Sequence, residues 1–103
     1  MEPKTEQPKR NPFARKLSFA LGATVMTPGA MEALDVDELV TFVARHARGD
    51  WGEVDDADWK ENDFSVENGY RILSAFTSRH GGKVWVITEA DRSATTVLLP
   101  EEY

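Results

Sequence analysis

Cysteine is absent from this chain of 103 residues, which excludes disulfide bonds and thiolate metal sites. A small domain that folds without disulfides is typical of a reducing compartment, so we expect a cytoplasmic protein. Long apolar runs are also absent. The best candidate, residues 17–26, is too short to cross a bilayer and contains serine, glycine and threonine. The sequence therefore predicts no membrane association and no cleaved signal peptide.

The charge is distributed unevenly along the chain. Residues 1–16 carry five basic and two acidic side chains, a balance of +3, and the rest carries seven basic and sixteen acidic side chains, a balance of −9. Three prolines and little apolar content predict that residues 1–16 form a disordered basic tail and that residues 17–103 form a single domain. The alternative is that the tail binds nucleic acid phosphates through Lys4, Lys9, Arg10, Arg15 and Lys16.

Two helices are predicted from their capping signals. Thr27 followed by Pro28 has the form of an N-cap and a first helical residue, and it opens a short helix. Asp35 and Glu38 form a capping box in front of apolar residues at helical spacing. This second helix is expected to cover residues 38–48.

The second half of the domain reads as one polar helix and a β meander. A helix over residues 55–68 is expected to end at Gly69. Runs rich in valine, isoleucine, threonine and aromatic residues then alternate with short polar turns, a pattern typical of hairpins. The predicted strands are residues 70–77, 83–89 and 94–99.

These elements predict an α+β fold, in which two to three helices pack on a small antiparallel sheet. The sheet consists of the three-stranded C-terminal meander, and residues 17–26 join it as an edge or fourth strand. The predicted core comprises Phe42, Ile72, Trp85, Ile87, Val97 and Leu99.

Three segments of the chain carry a family resemblance: residues 45–52, 71–76 and 85–103. They resemble an RHxxGDWG box, an RILSxY-like strand and a WxITEADRSxTTxLLPEEY end, and Asn62 matches an asparagine in the intervening helix. The group they resemble consists of small bacterial proteins of unknown function, borne on plasmids and genomic islands. The resemblance covers about residues 20–103 and differs at Phe76, where tyrosine is usual. It implies an accessory role on a mobile genetic element and no particular activity.

The candidate site combines the turn at residues 49–52 with the hairpin tip at residues 89–93. Both are polar turns at the ends of apolar elements, and docking them together would pair Arg92 with Asp50 or Glu89. Such an Arg could lock the tip or bind an anion. The candidate binding residues are His46, Asp50, Trp51, Glu89, Asp91, Arg92 and Ser93.

His46 allows two interpretations. It lies on the apolar stripe of the second helix, where a buried histidine bonded to backbone or to Asp50 would fix the following turn. Alternatively, Asp50 orients it as a general base beside Glu89 or Asp91. No ligand spacing is diagnostic of a metal, so we predict no metal and no cofactor.

The function that these features favour is a non-enzymatic interaction module of a mobile genetic element. An acidic domain suits a basic surface on a host or plasmid protein, and inhibition of a defence system is one such role. The first alternative is a small metal-dependent or acid/base hydrolytic enzyme that uses His46, Asp50, Glu89, Asp91 and Arg92. The second is nucleic-acid binding through the basic tail.

Overall fold

The computed structural model describes residues 19–103 and confirms the α+β fold. The basic tail and its predicted disorder lie outside the described residues. In chain order the elements are β1 Ala23–Met26, α1 Pro28–Ala33, α2 Val36–Ala47, α3 Asp56–Asn68, β2 Ile72–Thr77, β3 Lys83–Thr88, β4 Ala94–Leu98 and a 3₁₀ turn at Pro100–Glu102.

The strands form one sheet in the order β1-β4-β3-β2. The meander is antiparallel as predicted, but β1 runs parallel to β4, with Ala23 opposite Ala94 and Met26 opposite Val97. The sheet is therefore mixed and not antiparallel throughout. A hairpin turn dictates the direction of a strand, whereas β1 reaches the meander through three helices, so no turn fixes its direction.

β1 is shorter than the strand predicted over residues 17–26, because the chain bends at Gly22. Gly22 has a φ of 65°, and a Cβ there would lie 2.3 Å from the Ser93 carbonyl oxygen. Only glycine tolerates both this backbone conformation and this close approach. Residues 19–22 precede the strand, and Phe19 packs beside His46 and Trp51.

The helix caps are those that the sequence predicted. The Thr27 hydroxyl accepts a hydrogen bond from the Ala30 amide at 3.2 Å, and the Asp35 amide donates to Glu38 Oε1 at 3.3 Å. α3 ends at Gly69, which adopts the left-handed conformation with a φ of 77°. Local capping chemistry therefore sets the start of α1 and of α2 and the end of α3.

The core lies between the helices and one face of the sheet. Phe42 of α2 stacks on Phe76 of β2, with ring centroids 4.6 Å apart. Two buried clusters line this face: Ala30, Leu34, Phe42, Phe76, Val84, Val86 and Val97 in one, and Trp51, Trp59 and Ile72 in the other.

Four of the six predicted core residues are buried: Phe42, Ile72, Ile87 and Val97. Trp85 and Leu99 are only half-buried. Trp85 alternates with Val84 and Val86, so it points to the sheet face opposite the helices. There the Tyr103 ring packs edge-on against Trp85, with centroids 5.8 Å apart, and the Arg71 guanidinium lies 5.5 Å from the same ring. The C-terminal turn therefore covers part of the second face.

Candidate functional site

The structure divides the predicted site into a buried part and a surface part. His46 and Trp51 are completely buried, whereas the tip at residues 89–93 lies at the surface, against the C-terminal end of α3. Phe19 links the two parts, because its ring lies 5.6 Å from the His46 ring and 5.7 Å from the Arg92 guanidinium carbon. The tip does not dock on the 49–52 turn in the predicted way.

His46 is the centre of a buried chain of hydrogen bonds between α2 and the sheet. Its Nδ1 lies 2.6 Å from Ser74 Oγ and its Nε2 lies 2.8 Å from Thr88 Oγ1. Thr88 Oγ1 is 2.7 Å from Thr95 Oγ1, which donates to the Leu21 carbonyl at 2.7 Å. The chain thus ties α2 to β2, β3, β4 and the segment before β1.

The last acceptor of this chain determines where every proton lies. The Leu21 carbonyl can only accept, so the Thr95 hydroxyl donates its one proton to it. Thr95 must therefore accept the hydrogen bond that joins it to Thr88. Thr88 then has no proton left for the ring, so His46 Nε2 donates to Thr88. Nδ1 carries no proton and accepts from Ser74. The geometry assigns the neutral Nε2–H tautomer to His46.

Burial favours the same neutral state. The loss of hydration lowers the pKa of His46 from 6.5 to about 3. A second proton on the ring would also turn Nδ1 into a donor, facing a serine that now donates to it. His46 is therefore uncharged throughout the physiological pH range.

The Ser74–His46 pair has the spacing of a nucleophile and its general base. Both residues are completely buried, however, and a substrate carbonyl or phosphorus atom would have to reach Ser74 Oγ to react. The partner behind the ring is the Thr88 hydroxyl, which cannot stabilise an imidazolium as a carboxylate does. This arrangement is suited to fixing α2 on the sheet.

Asp50 does not orient His46, contrary to both interpretations that involved it. It binds the Arg45 Nε at 2.8 Å and accepts from the Gly52 amide at 3.1 Å. Arg45 in turn lies 4.7 Å from the centroid of the Phe76 ring. Asp50 therefore closes its own turn onto the end of α2.

Trp51 anchors that turn in the core. Its ring packs edge-on against His46 at 5.6 Å and against Trp59 of α3 at 6.5 Å. Its indole N–H donates to Asp63 Oδ1 at 3.0 Å. Trp51 therefore joins α2, α3 and the sheet, and its ring offers no surface to a partner.

Arg92 binds backbone carbonyls and neither of the predicted carboxylates. Its guanidinium donates to the Ser65 carbonyl at 2.8 Å and to the Tyr70 carbonyl at 2.7 Å, with further contacts to the carbonyls of Glu89 and Ala90. The C-terminal end of a helix carries partial negative charge, and the Ser65 carbonyl, which also accepts from the amides of Gly69 and Tyr70, gains a charged donor in Arg92. Arg92 thus acts as a remote cap on α3, and this attraction brings the tip to α3.

The other tip residues shape the turn. Glu89 forms an ion pair with Arg71 at 3.8 Å. Asp91 accepts from the Ser93 amide at 3.0 Å, and hydrogen bonding from Ser93 lowers the pKa of Asp91. Arg92 itself has a φ of 62°, so the turn holds a non-glycine residue in the left-handed region.

Sequence reasoning missed the partners of these residues. Ser74 stands between Ile72 and Phe76 on the inward face of β2, and a polar residue there signals a buried hydrogen-bond partner. Thr88 and Thr95 occupy the equivalent inward positions of β3 and β4, where they face each other. Phe19 carried no such signal, since nothing local fixes where a residue before the first strand packs.

Within residues 19–103, no group of three or more histidine or acidic side chains is placed to hold a metal ion. No helix in this range has the length and apolar character needed to span a membrane.

The surface of α3 is strongly acidic. The helix carries five acidic residues and one lysine over Asp56–Asn68, and its buried residues are Trp59, Asn62 and Ser65. An open groove separates α3 from β2, with acidic side chains on the helix side and two aliphatic ones among its lining residues. The groove is lined by Val54, Asp58, Glu61, Asn62, Arg71 and Leu73.

Comparison with protein-family models, with curated proteins and with solved structures finds no match for this chain. The resemblance to plasmid-borne proteins stays a prediction.

Proposed function

We propose that this protein is a non-catalytic interaction module of a mobile genetic element, which binds a host- or plasmid-encoded protein with a basic surface in the bacterial cytoplasm. The mobile-element origin rests on the resemblance alone. The binding mode rests on the distribution of charge. Inhibition of a defence system would be one use of such a module.

The observation that carries the proposal is that most cationic side chains in residues 19–103 form ion pairs or hydrogen bonds with other groups of the same domain. Four of them form ion pairs with carboxylates outside α3: Arg45, Arg71, Arg79 and Lys83. Arg92 binds carbonyl groups. These contacts lie outside the carboxylates of α3, which carries five acidic side chains and one lysine and so holds the largest share of the −9 balance in one element. Such a surface steers a basic partner and repels nucleic acid.

The proposal is tested with the tagged full chain as bait in a lysate of a plasmid-bearing host. The expected result is a protein at near-stoichiometric yield that elutes as the salt concentration rises, because salt screens surface charges. A variant in which Asp58, Glu61 and Glu67 are replaced by lysine should lose that protein. The control replaces the exposed Glu32 and Glu101, which lie outside both α3 and the hairpin tip, by lysine and should retain it.

Two results would contradict the proposal. Recovery of nucleic acid in place of protein, abolished by deletion of residues 1–16, would favour binding through the basic tail. Equal retention of the partner by both charge-reversed variants would show that the acidity of α3 has no role in recognition.

A further inference from the structure

Two aromatic side chains stand exposed at the acidic helix. Phe64 of α3 and Tyr70, just after it, stack with ring centroids 5.9 Å apart and an angle of 10° between the rings. Their side chains remain 53% and 57% exposed. Each ring therefore covers part of the other and still presents a large apolar area to solvent. Exposed aromatic pairs of this kind are typical anchor points of protein interfaces.

The pair is held in place by the rest of the fold. The Tyr70 carbonyl accepts from Arg92, and its amide donates to the Ser65 carbonyl at 3.2 Å. Phe64 lies within α3, one turn before that end. Because the backbone holds both rings at fixed positions beside each other, less conformational entropy is lost on binding than for rings on a free loop.

Carboxylates flank the pair along the helix. Glu61 and Glu67 are three residues before and after Phe64, which places them on the same side of α3. Glu61 also lines the groove between α3 and β2, together with Asp58. The aromatic pair and the groove therefore adjoin at Glu61. From Glu61 to Glu67 the helix rises about 9 Å, the length of roughly three extended residues.

The neighbouring strand edge cannot bind a partner through its backbone. The Asn62 side chain bonds both the N–H and the C=O of Leu73, and residues 51–53 bond both groups of Ala75. Addition of a peptide strand to β2 is thereby blocked. Recognition along this surface must use side chains.

We infer that Phe64 and Tyr70 form the anchor of a docking surface for a basic protein segment, in which one apolar residue packs on the aromatic pair and flanking lysine or arginine residues meet Glu61 and Glu67. This inference rests on the proposed function and assigns the partner's chemistry. Charge complementarity requires a basic segment, and in line with the proposed function we assign it to another protein, with the chain's own basic residues 1–16 as the competitor that the test must separate.

The test uses a labelled lysine-rich peptide with one central leucine and a matched peptide with alanine in its place. Fluorescence anisotropy at physiological salt should show the leucine peptide binding the full chain about tenfold more tightly, equivalent to about 1.4 kcal/mol. Phe64→Ser combined with Tyr70→Ser should abolish this preference. The control, Val36→Ser with Val40→Ser, removes another exposed apolar pair one helical turn apart and should preserve it.

Five outcomes would overturn the inference. Salt-sensitive binding of both peptides without a leucine preference would remove the anchor and leave the proposed function standing. A preference that survives in the Phe64/Tyr70 variant would place the anchor elsewhere. Leucine binding that needs deletion of residues 1–16 would make the chain's own tail the occupant. A dimer that dissociates in the Phe64/Tyr70 variant would make a second copy the occupant. If neither peptide binds and no basic protein is recovered from lysate, the proposed function is contradicted as well.

Discussion

The Asn62 side chain takes the place of a neighbouring strand for Leu73. Its Nδ2 donates to the Leu73 carbonyl at 2.8 Å, and its Oδ1 accepts from the Leu73 amide at 3.2 Å. An edge strand normally presents such groups to solvent, where they attract other chains. One helix residue therefore closes this position of the sheet and attaches α3 to it.

Asn62→Ala should destabilise the fold substantially, since it leaves two backbone groups of Leu73 without partners. Each unsatisfied group costs about 1–3 kcal/mol, so we expect a loss of about 2–4 kcal/mol in the free energy of unfolding. Urea denaturation measures it. Asn68→Ala removes an exposed asparagine of the same helix and should cost less than about 0.5 kcal/mol. Equal losses in both variants would show that the contact to Leu73 contributes nothing.

The stability of the protein should depend on pH through His46. The folded state holds the pKa of His46 at about 3, below its ordinary value of 6.5, so the unfolded chain binds the extra proton first. This contribution to stability is complete above pH 6.5 and is lost as the pH falls toward 3, by up to about 1.4 kcal/mol per pH unit. Unfolding measured between pH 6.5 and 5 isolates the effect, because carboxylates titrate mainly below that range. A flat profile there would contradict the buried neutral ring.

The tautomer of His46 provides an independent check on the hydrogen-bond chain. Nitrogen-15 NMR of the imidazole at neutral pH should show a protonated Nε2 and an unprotonated Nδ1, because Thr88 has no proton to donate to the ring. The same spectrum is expected down to about pH 4. A protonated Nδ1 would mean that the hydroxyl groups of Thr88 and Thr95 point the opposite way.

Thr88→Val should break the hydrogen-bond chain at its centre. Valine has nearly the same shape, but His46 Nε2–H loses its acceptor and Thr95 loses a donor, at a cost of about 1–3 kcal/mol. Thr96→Val, at a half-buried position on the opposite face of β4, is the matched control and should change stability by less than about 0.5 kcal/mol. Because Thr88 and Thr95 share a bond, the Thr88→Val/Thr95→Val double variant should lose less than the sum of the single losses. Additive losses would indicate that the two hydroxyl groups are not coupled.

Arg92→Ala should lower stability by about 2 kcal/mol, because the carbonyls of Ser65 at the end of α3 and of Tyr70 lose a charged donor. Arg92→Gly should be less damaging, by about 1 kcal/mol, since glycine adopts the left-handed conformation without strain. Arg92→Lys preserves the charge but cannot fork between the carbonyls of Ser65 and Tyr70. Thermal unfolding of the three variants measures the order of their stabilities. Unchanged stability with lost partner binding would instead make Arg92 a recognition residue.

The residues that carry the family resemblance have structural roles in this fold. Asn62 closes the edge of β2, Thr88 and Thr95 hold His46, and Arg92 caps α3. At the end of the chain, the Glu102 carboxylate accepts from the Thr27 hydroxyl and the Gly29 amide at the start of α1. These contacts show how such a polar string contributes to the fold.

The sequence by itself determined the helices, the meander and the acidic body, because capping residues, turn residues and alternation act over a few neighbouring positions. Thr27, Asp35 and Gly69 are sufficient to predict where helices begin or end. The tertiary structure alone decided the direction of β1, the attachment of Arg92 to α3 and the pairing of His46 with Ser74 and Thr88. Each of these contacts joins residues more than twenty positions apart, and its geometry depends on how helices pack on the sheet. A polar residue at an inward position of a strand or helix predicts a buried hydrogen-bond partner. Only the packed fold determines which residue that partner is.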